Sequence, residues 1–192
     1  MVVPLALESG ELCTGQVILQ PISLKSDRLL GRSMYLVDTN VISEARKRRQ
    51  ANPGVQKFFQ SADAADIYIC VQTIGEIRRG LENIRHRNEL TQARRLEKWL
   101  DLVVAGYVNR TLSFDEACAQ VWGRLMSPHH AHPVDKQIAA IALIYDLTVV
   151  TRNVVDFRGT GVALKILFSN QFSQRISLAH RRMQLGPEKT DP

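Results

Sequence analysis

The sequence predicts an α/β fold with a central, mostly parallel sheet. Two observations carry this. Short apolar runs of strand length, "MYLVD", "IYICV" and "LTVVT", recur along the chain, and unbroken runs of that kind suit strands buried on both faces. Between them lie longer segments with apolar residues at helical spacing, such as Ile74, Ile77, Leu81 and Ile84. Strands that alternate with helices build parallel sheets, because parallel neighbours need a long crossover connection.

The elements follow in order. Residues 1–33 lack clear periodicity apart from a short strand candidate at "QVILQ". They read as an extension, and Met34, directly before the first good strand, is the expected natural start. After "MYLVD", "NVISEARKRRQ" reads as a helix ending in the basic cluster Arg46 to Arg49. Pro53 at a first helical position opens "PGVQKFFQSA". "IYICV" is the second strand, followed by the helices "TIGEIRRGLENIRH" and "ELTQARRLEKWLDLVV". "YVNRTL" is a weaker third strand. "FDEACAQVWGRLM" and the Pro133-led "PVDKQIAAIALIYD" are helices, "LTVVT" is the fourth strand, and "VALKILF" is an edge strand. The domain is therefore expected over residues 34–168, with 169–192 as a polar, loose tail.

Bulk composition narrows the class. The chain has 192 residues, 45% of them hydrophobic, which suits one domain with a real core. Its net charge of +6 is compatible with a polyanionic partner without establishing one. Cys13, Cys70 and Cys118 are odd in number and form no Cys-x-x-Cys pair, so a reducing compartment, the cytoplasm, is expected. No apolar run approaches the ~18–20 residues of a membrane span.

Open α/β sheets bind ligands outside the carboxyl ends of their strands. Four acids fall there. Asp38 ends the first strand, Glu76 lies in the first turn after the second, Asp135 lies in the first turn of the Pro133 helix, and Asp156 follows the fourth strand. Each has a local explanation. Thr73-x-x-Glu76 is a capping box, Asp135 complements the helix dipole, Asn153-x-x-Asp156 is another cap, and Asp38-Thr-Asn is an Asx turn. Ser113-x-x-Glu116 has the same cap pattern and no assigned function.

Together the four are harder to explain locally. Converging carboxylates repel and raise one another's pKa unless a cation compensates. Only Lys136 directly adjoins any of them in sequence. Hard oxygen donors with no cysteine nearby suit Mg2+ or Mn2+. Such an ion activates water for phosphodiester hydrolysis and stabilises the leaving oxygen, and two ions about 3.5–4 Å apart can share these tasks.

The stretches "YLVDTNVISE", "TIGEIRRGLENI", "HPVDKQIAAIA" and "LTVVTRNVVDFRGTGV" closely resemble the PIN-domain family. They look most like VapC-type toxins of bacterial toxin–antitoxin pairs, in the FitB-like branch. The resemblance spans about residues 34–168 and is most specific in the last motif. It implies a three-layer α/β/α sandwich and Mg2+- or Mn2+-dependent cleavage of RNA. By position, Asp38, Glu76, Asp135 and Asp156 match the family's four metal-binding acids, and Asn40, Thr151 and Asn153 match polar positions that support them. The family also implies a homodimer and a cognate antitoxin whose peptide covers the acidic pocket. One departure stands beside the third acid: "HHAHPVD" puts a histidine where relatives more often have an apolar residue before the proline.

Other features read as structural. His129, His130 and His132 lack the His-x3–5-His spacing of a helical zinc pair and read as loop histidines. The arginines at 46, 48, 49, 78, 79, 85, 87, 94 and 95 either grip RNA phosphates or line solvated helix faces, with Arg78 and Arg79 best placed for RNA because they follow Glu76. Trp99 and Trp122 read as packing residues. An aspartyl phosphatase centred on Asp38 would want a second aspartate two residues on, where Asn40 stands. A non-catalytic scaffold that binds RNA or a partner is the remaining alternative.

Overall fold

Strands β1 (Tyr35–Val37), β2 (Ile67–Cys70), β3 (Thr111–Leu112), β4 (Thr148–Thr151) and β5 (Leu164–Ile166) form one sheet in the order β3-β2-β1-β4-β5, and every pairing is parallel. The structure is a computed structural model and describes residues 33–128 and 130–168. The "QVILQ" strand expectation, His129 and the tail from 169 lie outside the described residues.

Helices α1 (Thr39–Ala45), α2 (Pro53–Ser61), α3 (Val71–His86), α4 (Leu90–Gly106), α5 (Glu116–Met126) and α6 (Pro133–Tyr145) connect the strands. Period-2 alternation sends strand residues to two cores. Val37, Ile67, Ile69 and Val150 pack with α1 to α4 through Val41, Phe58, Leu81 and Leu100. Leu36, Cys70, Leu112 and Val149 pack with α5 and α6 through Cys118, Ile138 and Ile141. The sheet is thus the middle layer of three, as expected. Cys70 and Cys118 are buried free thiols, filling core space. Among the described residues, no helix is long and apolar enough to cross a membrane.

Several local expectations are corrected. The first helix stops at Ala45, and Arg48–Gln50 is a separate 3-10 turn reached through Arg48 in a left-handed conformation (φ 52°). Pro53 disfavours a helical Asn52, and the Glu44 carboxylate instead accepts the Asn52 amide at 3.0 Å. The third strand shrinks to Thr111–Leu112, because a turn closes from Arg110 N to the Tyr107 carbonyl (2.8 Å). Helix α3 begins at Val71 with Cys70 as its N-cap, so Thr73 is buried inside the first turn and caps nothing. Glu76 consequently sits in the second turn, beyond reach of a capping box. At α5 the cap is Asp115, which accepts the Cys118 amide at 2.9 Å, and Ser113 plays no such part.

The strand order sets where a ligand can enter. The chain steps outward from β1 through β2 to β3, then returns to the other side of β1 for β4 and β5. The topological switch therefore lies between β1 and β4, where helices diverge and leave a crevice at the strands' carboxyl ends.

Candidate functional site

Asp38 follows β1 at this switch and is only 3% exposed. It occupies the N-cap position of α1, and its backbone carbonyl accepts the Val41 and Ile42 amides. Its side chain makes no capping bond, so the Asx-turn expectation fails. The carboxylate turns instead to side chains across the switch. Thr151 Oγ1 at the end of β4 donates to Asp38 Oδ2 at 2.6 Å, and Asn40 Nδ2 donates to the same oxygen. Asn40 also bridges to Thr151 Oγ1 at 3.1 Å and accepts the Arg152 amide at 3.0 Å. Burial nonetheless pushes the Asp38 carboxyl up, with the Thr151 and Asn40 bonds opposing and the nearby Glu76 charge adding to the rise.

Glu76 is carried in from the second turn of α3. Thr39 Oγ1 donates to Glu76 Oε2 at 2.5 Å, and Arg79 one turn along lies 3.7 Å from the other carboxylate oxygen. Asp135 stands in the first turn of α6, which Pro133 opens as the sequence predicts. Trp122 Nε1 of α5 donates to the Pro133 carbonyl at 3.1 Å and fixes that helix start. Asp156 lies in the 3-10 turn Val155–Phe157. Asn153 does not cap this turn, and its side-chain amide donates directly to the Asp156 carboxylate.

These four acids share one electrostatic environment. Asp135 is pushed up to about 6, first by burial and then by the charges of Asp38, Asp156 and Glu76. A half-buried site that raises a carboxyl in this way carries more negative charge than its own donors neutralise. Its donors are hard carboxylate oxygens, so it fits a divalent cation of the Mg2+ or Mn2+ type.

Two participants escaped the sequence reading. Thr39 carries no assigned role in the sequence, though its place between Asp38 and Asn40 is a signal. His132 reads as a loop histidine in sequence. In the structure its Nδ1 lies 3.2 Å from Asp156 Oδ1, and donor atoms of His132, Asp135 and Asp156 lie within 4.8 Å of one another. The arginines divide. Arg78 pairs with Glu97 of α4 at 3.3 Å, within a network that includes Arg85 and Glu82, so it belongs to a helix–helix contact. Arg79 is largely exposed at the rim beside Glu76. Trp99 packs against the core with Arg46 stacked over its ring, and Trp122 meets Phe114 edge-on, so both tryptophans pack as expected.

A family model described as the PIN domain matches residues 35–160. The chain belongs to the PIN-domain family. This PIN domain is 33% identical to the plasmid stability protein StbB of Pseudomonas syringae pv. tomato, over 67% of the chain and 94% of that protein. It is 36% identical to toxin FitB of Neisseria gonorrhoeae, over 68% of the chain and 96% of that protein. Among solved structures, it resembles FitAcB from Neisseria gonorrhoeae with a TM-score of 0.54 and 34% identity, covering 68% of this chain and 96% of that one.

Proposed function

We propose that this PIN domain is a metal-dependent endoribonuclease and the toxin of a toxin–antitoxin pair. The observation that supports the reading is that the charges of Asp38, Asp156 and Glu76 all act on Asp135, in a chain 36% identical to a protein named as a toxin. Asp38, Glu76, Asp135 and Asp156 would hold Mg2+ or Mn2+. When bound, the ion supplies Lewis acidity and an ionised water at neutral pH.

The chain's own residues do the positioning. Thr151 has its lone pairs engaged by the Asn153 amide (3.0 Å) and by Asn40 Nδ2, which leaves its proton for Asp38. Asn40 locks the same carboxylate from α1, and Asn153 holds Asp156. Thr39 orients Glu76. The exposed guanidinium of Arg79 binds an RNA phosphate at the mouth of the site. A cavity of about 250 Å3 lined by Gln72, Glu76, Arg79, Val134 and Gln137 gives the flanking nucleotide room.

The partners follow the same reading. A solved structure named FitAcB from Neisseria gonorrhoeae is similar to this chain, and a cognate antitoxin and a homodimer are proposed here. Residues 34–168 form the nuclease domain, the segments outside it are appendages, and the protein works in the cytoplasm.

The test is cleavage of total RNA by the full chain with Mg2+, with Mn2+ and with a chelator, beside Asp38→Asn. Metal-dependent cutting that disappears in the variant is expected. Cutting that survives the chelator, or that Asp38→Asn retains in full, overturns the reading. A melting temperature that neither ion raises favours the scaffold alternative.

A further inference from the structure

We infer that His132 is a nitrogen ligand in this site and biases it toward first-row transition ions, Mn2+ among them, over Mg2+. The inference rests on the metal-dependent reading above and adds a residue outside the four acids.

Geometry is the first support. Donor atoms of His132, Asp135 and Asp156 lie within 4.8 Å of one another. Two donors that each sit about 2 Å from one ion are at most about 4 Å apart, so these atoms need close in by only about 1 Å to share one. The imidazole already faces this space, with Nδ1 3.2 Å from Asp156 Oδ1. The backbone is the second support. His132 adopts a left-handed conformation, φ 54° and ψ 55°, at the N-cap of α6, where its side chain caps nothing. That conformation is uncommon outside glycine, although histidine tolerates it better than most. In this conformation the side chain makes no bond to the helix amides, and its Nδ1 lies against Asp156.

Donor chemistry supplies the consequence. Mg2+ demands an oxygen octahedron and keeps its waters, whereas a ring nitrogen suits first-row transition ions better than it suits Mg2+. One imidazole among the carboxylates therefore moves the preference away from Mg2+. The competing account is a His132–Asp156 ion pair that merely anchors the loop before α6.

The experiment compares the full chain with His132→Asn and His132→Gly. Both replacements accept the left-handed backbone and neither carries a ring nitrogen. Mn2+ and Mg2+ affinities come from calorimetry, and pulsed electron paramagnetic resonance of bound Mn2+ reports any imidazole nitrogen directly. The wild-type chain should show the nitrogen coupling and prefer Mn2+. Both variants should lose the coupling and roughly tenfold or more in Mn2+ affinity, since even outer-shell partners of a ligand are worth 10- to 100-fold, while Mg2+ affinity stays within about twofold. A wild-type spectrum without nitrogen coupling, or Mn2+ affinity unchanged in both variants, overturns the inference and leaves the nuclease reading intact. Failure of the wild type to bind either ion overturns both.

Discussion

Thr151 Oγ1 donates to Asp38 Oδ2 across 2.6 Å and ties the end of β4 to the end of β1. The bond spans the one place where the sheet's order reverses, and it stabilises a carboxylate that burial otherwise disfavours. Thr151→Val keeps the shape and removes the donor. The expected cost is about 1–3 kcal/mol at neutral pH, the price of leaving a buried charged acceptor short of a partner. The bond serves the ionised form, so the cost should shrink as acid protonates Asp38. Urea denaturation at neutral and acidic pH checks this. An equal loss at both would mean that the hydroxyl acts through packing and the bonds it accepts from Asn40 and Asn153, and not through Asp38.

Asp135 sets a pH dependence of opposite character. Its folded pKa is raised from 3.8 to about 6. The folded state therefore holds this proton longer than the unfolded chain does. Its contribution is fully favourable below the unfolded value and is lost as pH rises through the folded one. Asp135→Asn should leave stability unchanged in strong acid and raise metal-free stability at neutral pH by on the order of 1 kcal/mol. That figure discounts ~1.36 kcal/mol per unit because the group is only partly withdrawn from water. The same variant should lose the metal-linked rise in melting temperature. Melting curves across pH, with and without Mn2+, test both halves.

The layers and the strand order's consequences were legible because they rest on long patterns. Ile74, Ile77, Leu81 and Ile84 mark one helix face, and Leu36, Val37, Val149 and Val150 mark strands buried on both sides. The local signals misled where tertiary contacts outbid them. Thr73-x-x-Glu76 looks like a capping box, yet α3 starts two residues earlier and Glu76 is claimed by Thr39 across 37 residues of sequence. Asp38 looks like a turn former, yet its partner Thr151 lies 113 residues away. His132 reads as a loop histidine by spacing because its meaning depends on Asp156, which no local spacing reveals.

The two neighbouring arginines after Glu76 should separate cleanly. Arg78 is committed to Glu97, whereas Arg79 projects from the rim with its guanidinium 3.7 Å from Glu76. Arg79→Ala should raise KM for RNA and lower the slope of log affinity against log salt by about one, with stability nearly unchanged. Arg78→Ala should leave cleavage unchanged and cost no more than about 1 kcal/mol, as expected of exposed pairs. Salt-dependent RNA binding, measured with the chelator present, distinguishes them. A matching salt slope in both variants would remove Arg79 from the RNA path.

Two helical glycines predict opposite signs for the same substitution. Gly54 opens α2 beneath the chain leaving β5, and a Cβ there would overlap the Leu167 carbonyl. Leu167 packs against the core, so its backbone cannot move away freely. Gly54→Ala should therefore cost about 1–3 kcal/mol, as overpacking does, despite alanine's better helix propensity. Gly80 sits within α3 and a Cβ there meets nothing within 4 Å. Gly80→Ala should stabilise by about 0.5–1 kcal/mol. Denaturation midpoints of the two variants give the comparison. If both substitutions stabilise, the segment after β5 does not lie against α2. Neither change reaches the acids, so metal-linked melting should persist in both and shows that the loss at Gly54 is one of packing.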